Sequence, residues 1–275
     1  GVNHWVSIDG GFSFNCPSKW SHGGSDQYVH ADIHDIRFFG NELWIACDGG
    51  IFTSSDFGAT MSRSMLGIEG TDFWGFGASP QSDVMLGGAY HNGTLLKDNN
   101  TYINDWICTG GGDGVRGFVN FGNDRIAYDD YQGRILSGDR AVPIGSFQFD
   151  SLPNSSYIIG ESSRMAFDPR NYNTIYLGRN NLLLKTINNG QTFETIHDFS
   201  EEVMGIEIAW TNPDVMYVVT YPDWWGVKKI WRTSDSGISW TEITPSSSTL
   251  VGDQWVPFDI TVSSNDENIL WAART

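Results

Sequence analysis

TSDSGISW, residues 233–240, is the stretch that decides the fold, because it recurs as SIDGGFSF (7–14), SSDFGATM (54–61) and TINNGQTF (186–193). All four follow Ser/Thr-x-Asp/Asn-x-Gly-x-Ser/Thr-aromatic, except that the second ends in Met61. The residue types are those of a tight turn. Asp9, Asp56, Asn188 and Asp235 can accept hydrogen bonds from backbone amides of their own turn, and glycine supplies the positive φ of the reversal. The terminal aromatic is expected to pack across the hairpin that the turn closes.

The copies are periodic. Asp9 to Asp56 and Asn188 to Asp235 are each 47 residues apart, and Asp56 to Asn188 is 132, three steps of 44. Two repeats in the middle have therefore lost the turn. A second element, a turn before an apolar strand, recurs at 78–88, 167–178 and 210–219 with proline, and at 262–273 without it. Short β-rich runs between turn signals then give four strands per repeat. In the first full repeat these lie near 33–39, 43–47, 51–54 and 60–65. The next repeats run near 74–108, 117–148, 163–197 and 205–243. Residues 258–262 and 269–273 read as strands one and two of a last repeat, and 4–7 and 13–15 as its strands three and four. Wrapping from Asp235 through Thr275 to Asp9 spans 49 residues, again one period.

The repeated turn resembles the Asp box of sialidases, sortilin-type receptors and two-propeller xyloglucan-degrading endoglucanases. The resemblance implies an all-β fold, a β-propeller of six four-stranded blades in one domain over 1–275, with one blade sewn from both termini. Such closure removes exposed sheet edges. The alternative is a fragment of a larger seven-bladed or tandem propeller. The chain opens on Gly1 without a start methionine or signal peptide, which leads us to expect a processed chain or a piece of a longer polypeptide or surface complex.

Composition narrows the partners. Sixteen Lys+Arg against 33 Asp+Glu leave a formal charge of −17, which repels phosphate backbones and makes nucleic acid an unfitting partner. No apolar run is long enough for membrane insertion. Cys16, Cys47 and Cys108 are too few for a disulfide framework and match no metal knuckle, so buried free thiols are expected. Twelve Trp, ten Tyr and sixteen Phe exceed what blade packing needs, and some fall in loops, as in Trp224-Trp225 and at Trp74.

In a four-stranded blade the two-to-three loop and the loop entering the next strand one share a face, and the repeated turn lies on the other. The first face gathers His30, Asp32 and His34, then Asp48, Asp72, Trp74, His91, Asp113, Asp129, Trp224 and Trp225. Carboxylates with aromatic rings and few bases suit sugars, whose hydroxyls bond to carboxylates while their C–H faces lie on rings. This predicts a secreted or cell-surface module that binds a glycan or protein partner. A glycoside hydrolase is the alternative, with Asp48 paired to Asp32, Asp113 or Asp129 as general acid and base. A structural role in a surface assembly is the third reading. On an extended strand His30, Asp32 and His34 would point to one side and could meet a metal or form a hydrogen-bonded network. No second cluster offers a fourth ligand, so neither metal nor cofactor is assigned.

Residues 30–58 resemble secreted bacterial sortilin-like or glycosidase-like proteins, in a histidine-rich strand followed by a Gly-Gly turn and the box. Residues 110–136 resemble a further blade of that group. In the xyloglucan-degrading enzymes an Asp just before Gly-Gly is catalytic, which implies that role for Asp48. No arginine triad with the tyrosine of sialidases is present.

Overall fold

The computed structural model describes residues 1–17, 19–68, 70–79, 81–98, 105–131, 134–141, 148–153, 164–222, 228–244 and 260–272. Every regular element among them is a β-strand, and no helix is long and apolar enough to cross a membrane. The chain divides into two compact units, Gly1–Thr71 and Asp72–Thr275.

The first unit is one antiparallel sheet in the order β1 (Ile33–Phe39), β2 (Glu42–Cys47), β3 (Gly50–Ser54), β4 (Ser62–Arg63). Val29, Leu43, Ile45, Cys47 and Phe52 form its core, with Tyr28 edge-on to Phe52 at 6.0 Å. The strands expected at 4–7 and 13–15 reduce to a single bridge, Val6 to Asn15.

The second unit repeats the meander four times. β5 (Gly75–Ala78), β6 (Val84–Ala89), β7 (Gly93–Asp98) and β8 (Trp106–Gly110) form one sheet. β9 (Gly114–Val119), β10 (Ile126–Tyr131), β11 (Arg134–Asp139) and β12 (Asp150–Ser151) form the next. Then come β13 (Met165–Phe167), β14 (Ile175–Arg179), β15 (Leu182–Thr186) and β16 (Glu194–Asp198). The last four-stranded sheet is β17 (Glu202–Ile208), β18 (Met216–Tyr221), β19 (Lys229–Thr233) and β20 (Thr241–Glu242). β21 (Ile260–Val262) and β22 (Leu270–Ala272) close the described chain as a two-stranded sheet.

In the second unit the second strands β6, β14 and β18 are the most deeply buried of their sheets. All six residues of β18 are buried. Each aliphatic side chain buried this way contributes about 1.5–3 kcal/mol. The turns between first and second strands sew the sheets together. Gln81 Nε2 donates to Phe121 O at 2.8 Å, and Asn120 Nδ2 to Tyr172 O at 3.0 Å. Arg170 Nη1 donates to Asp214 Oδ1 at 2.5 Å, and the Tyr217 hydroxyl to Glu267 O at 2.6 Å.

The four repeated turns share one hydrogen-bond set. In the last, the Thr233 hydroxyl donates to Asp235 at 2.6 Å and accepts from Gly237 N at 3.0 Å. Asp235 in turn accepts from Ser239 N at 2.9 Å and Ser239 Oγ at 2.6 Å. Asp9 and Asp56 do the same, while the Asn188 amide reverses one bond and donates to Thr192 Oγ1 at 2.9 Å. Glycine stands at φ +91, +86, +85 and +92 in the four copies. Met61, Phe193 and Trp240 pack onto their sheets as expected, but Phe14 stays exposed, since only one bridge forms beneath it.

Hydrogen bonds from Ser13, Thr60 and Ser239, ahead of those from Ser7, Ser54 and Thr233, hold Asp9, Asp56 and Asp235 down to about 2. A depressed carboxyl stabilises the fold above its unfolded value near 3.8 and loses that contribution as pH falls through about 2. Asp235→Ala is therefore expected to lower the melting temperature near neutrality, with a smaller loss at about pH 2. Parallel melting curves over that range would contradict this role.

Of the cysteines, Cys47 is buried, Cys16 is half-buried and Cys108 is exposed. The expectation of buried thiols holds only at Cys47; it fails in part at Cys16 and fully at Cys108, because β8 is an outer strand of its sheet, where one face meets solvent.

Candidate functional site

Within the first unit the expected histidine strand is broken. β1 begins only at Ile33, and Asp32 sits in the left-handed region at φ +57, so positions 30, 32 and 34 do not alternate along a strand. A register shift between Ile33 and Asp35 makes His34 a bulge residue and re-aims it. His34 Nε2 lies 2.5 Å from Asp48 Oδ1, while His30 Nδ1 turns to Ala31 O at 3.1 Å. His30, Asp32 and His34 thus form no common ligand set among the described residues.

The second unit builds a more open site on the face where loops enter first strands. Trp74 is held at the start of β5 by its amide, which donates to Gly88 O at 3.0 Å. Tyr90, His91 and Asn92 form the β6–β7 turn, closed by Asn92 N to Ala89 O at 2.8 Å, with His91 at φ +63. The neighbouring segment is drawn against this turn by Gly93 N, which donates to Gly112 O at 2.8 Å. Only glycine fits at 93. Its φ is +82, and a Cβ there would lie 2.0 Å from Gly110 O. This close backbone approach brings Asp113 beside His91.

The result is a continuous polar and aromatic surface. The Trp74 and Tyr90 rings lie 4.9 Å apart with a 38° tilt, and Tyr90 meets the His91 ring at 4.4 Å with a 41° tilt. His91 Nε2 is 3.9 Å from Asp113 Oδ1. Trp74 is 43% and Tyr90 37% exposed, enough for a ligand to reach both rings. Asp72 is exposed nearby in sequence, just before Trp74. The sequence places Trp74, the Tyr90-His91-Asn92 loop and Asp113 at this face, but not the contact between the Trp74 and Tyr90 rings.

Asp129 is not a surface carboxylate. It is 2% exposed, and it accepts the Thr94 hydroxyl at 2.5 Å. Burial pushes its carboxyl up to about 6. The Tyr-Asp-Asp-Tyr run reads as a polar loop, but Tyr128 packs in the core and carries the strand through both acids. The sequence places Asp130, Arg164 and Glu202 in loops of this face, but Asp130 and Arg164 are buried, and Arg164 pairs with Glu202 at 2.7 Å. Trp224 and Trp225 lie outside the described residues. First strands β5, β9, β13 and β17 also line a recess of about 300 Å³, walled by Phe76, Phe118, Phe121, Phe167 and Trp210.

No family model matches the sequence, and no curated protein matches it. Solved structures do. An ancestral GH74 enzyme aligns over 86% of this chain and 34% of its own, at 18% identity and TM-score 0.54. The GH74 xyloglucanase from Xanthomonas campestris aligns over 84% and 41%, at 12% identity and TM-score 0.54. The GH74 enzyme of Niastella koreensis aligns over 94% and 39%, at 20% identity and TM-score 0.50. The chain therefore spans about two-fifths or less of the length of these proteins. With its antiparallel four-stranded sheets, this likeness defines the class: the chain is an all-β propeller.

Proposed function

We propose that residues 1–275 form a single Asp-box propeller domain, secreted or displayed at a cell surface, that binds a glycan. The ligand lies on the Trp74 and Tyr90 rings, and Asp113 and His91 bond its hydroxyls. The carrying observation is the pair of tilted, solvent-open rings 4.9 Å apart with a carboxylate and an imidazole beside them. A sugar ring presents an apolar C–H face and a polar rim, and this surface offers a partner to each. The similarity to a GH74 xyloglucanase supports a glycan as the class of ligand, and the acidic surface favours neutral over anionic glycans.

Hydrolysis is the weaker reading. It needs two carboxyl groups flanking the scissile bond, one of them with a raised pKa. The carboxyls pushed up most, Asp129 and Asp130, are buried between sheets, where no glycosidic oxygen reaches. A glycan-array screen of the intact chain, followed by product analysis of each hit, tests the proposal. Binding without new reducing ends is expected. Cleaved product would favour the hydrolase, and an empty array would reject both.

A further inference from the structure

Asp129 and Asp130 stand side by side on β10, so their side chains leave opposite faces of the sheet. Asp129 faces Thr94 on β7, in the preceding sheet. Asp130 shares its face with Tyr128, whose ring packs 5.6 Å from Phe167 on β13, in the following sheet. Asp130 is wholly buried, and neither of its carboxyl oxygens has a hydrogen-bond partner among the described residues. Two guanidinium groups act on it electrostatically, Arg116 on β9 and Arg164 just ahead of β13. Arg164 is itself wholly buried, with Nη2 committed to Glu202 Oε1 at 2.7 Å and to Met204 Sδ at 3.2 Å. Its Nε and Nη1 make no hydrogen bond among the described residues.

We propose that Asp130 is a proton-linked switch of blade packing, neutral in the tightly packed state, so that acid strengthens the interface between the β9–β12 and β13–β16 sheets and alkali loosens it. The physical basis is that an ionised carboxylate without hydrogen bonds is costly to bury, and the Arg164 guanidinium bonds Glu202 and not Asp130. Burial first, then the charge of Asp129, pushes the Asp130 carboxyl up to about 7, against the opposing pull of Arg164 and Arg116. Unfolded, the same group ionises near 3.8. Between those values the folded chain holds a proton that the unfolded chain has lost, so stability falls as pH rises from about 4 to about 7 and is level beyond. One fully linked proton changes the folding equilibrium by about tenfold per pH unit. Asp129, at about 6, adds to the same slope over a narrower window.

The test is urea unfolding of the parent and Asp130→Asn from mildly acidic to mildly alkaline pH. The parent should lose stability as pH rises, and Asp130→Asn should flatten that slope by up to about tenfold per pH unit. The variant should equal or exceed the parent at alkaline pH. Two curves of equal slope would overturn the proposal, because Asp130 would then be charged throughout. Carboxyl carbon NMR of the parent keeps the question decidable if the variant does not fold. One buried aspartate titrating near neutrality supports the switch, and titration of every aspartate below about 5 rejects it.

Discussion

Asp98→Ala is expected to destabilise the protein by about 3–5 kcal/mol, the usual loss when one member of a buried ion pair is removed. Asp98 ends β7, and its carboxylate pairs with Nη1 of Arg140, which follows β11. The side chains are 4% and 6% exposed, so the pair is cut off from water. Arg140 also donates through Nε to the Asp124 carbonyl, and Ser82 donates to the Asp124 carboxylate. The cluster thus clamps the β5–β8 sheet to the β9–β12 sheet. Removing Asp98 leaves a buried guanidinium whose remaining carboxylate, Asp124, is 3.9 Å away and a third exposed. For a domain whose total stability is about 5–15 kcal/mol, that loss is large. Replacing the pair together, Asp98→Leu with Arg140→Met, should recover much of it, since no charge is then stranded. Urea unfolding measures both. A loss under about 1 kcal/mol in Asp98→Ala would mean that the pair is hydrated and the clamp is not formed.

Gly117→Ala is expected to cost about 3 kcal/mol, near the top of the range for overpacking. A Cβ at position 117 would lie 2.2 Å from Leu86 O and 2.4 Å from Leu86 C. Both atoms belong to the backbone of β6, so no side chain can rotate out of the way. The crowding is mutual, because a Cβ on Gly77 would lie 2.5 Å from the Gly117 carbonyl oxygen. These glycines let the two sheets approach at backbone distance. Gly111→Ala is the matched control, since nothing lies within 4 Å of its Cβ position. That change should stay within about 0.5 kcal/mol. Equal midpoints for the two variants would show that the sheets stand further apart.

The repeat was legible because turn chemistry is local. Thr233, Asp235, Gly237 and Ser239 satisfy one another within seven residues, so their spacing alone foretold the hydrogen bonds that form. The strand order followed from the same punctuation. What sequence could not show was burial between sheets. Asp129 and Asp130 look like loop acids until Tyr128 and Phe167 fix which faces they share. Nor could it foresee that the backbone at Asp32 turns left-handed, which dissolves the alternation that grouped His30 with His34. The Trp74–Tyr90 contact joins loops sixteen residues apart, and only the close approach of Gly93 to Gly112 sets Asp113 beside them.

The central claim is that a glycan rests on the Trp74–Tyr90 rings, and calorimetric titration of the best array glycan into parent, Trp74→Ala and Asp235→Ala tests it most directly. Trp74→Ala should fold as the parent does and bind at least about tenfold more weakly, as expected for an exposed aromatic anchor. Asp235→Ala changes only a turn that satisfies its own backbone, so it should bind like the parent wherever it remains folded. Unchanged affinity in a folded Trp74→Ala would contradict the account and place the ligand elsewhere on the propeller.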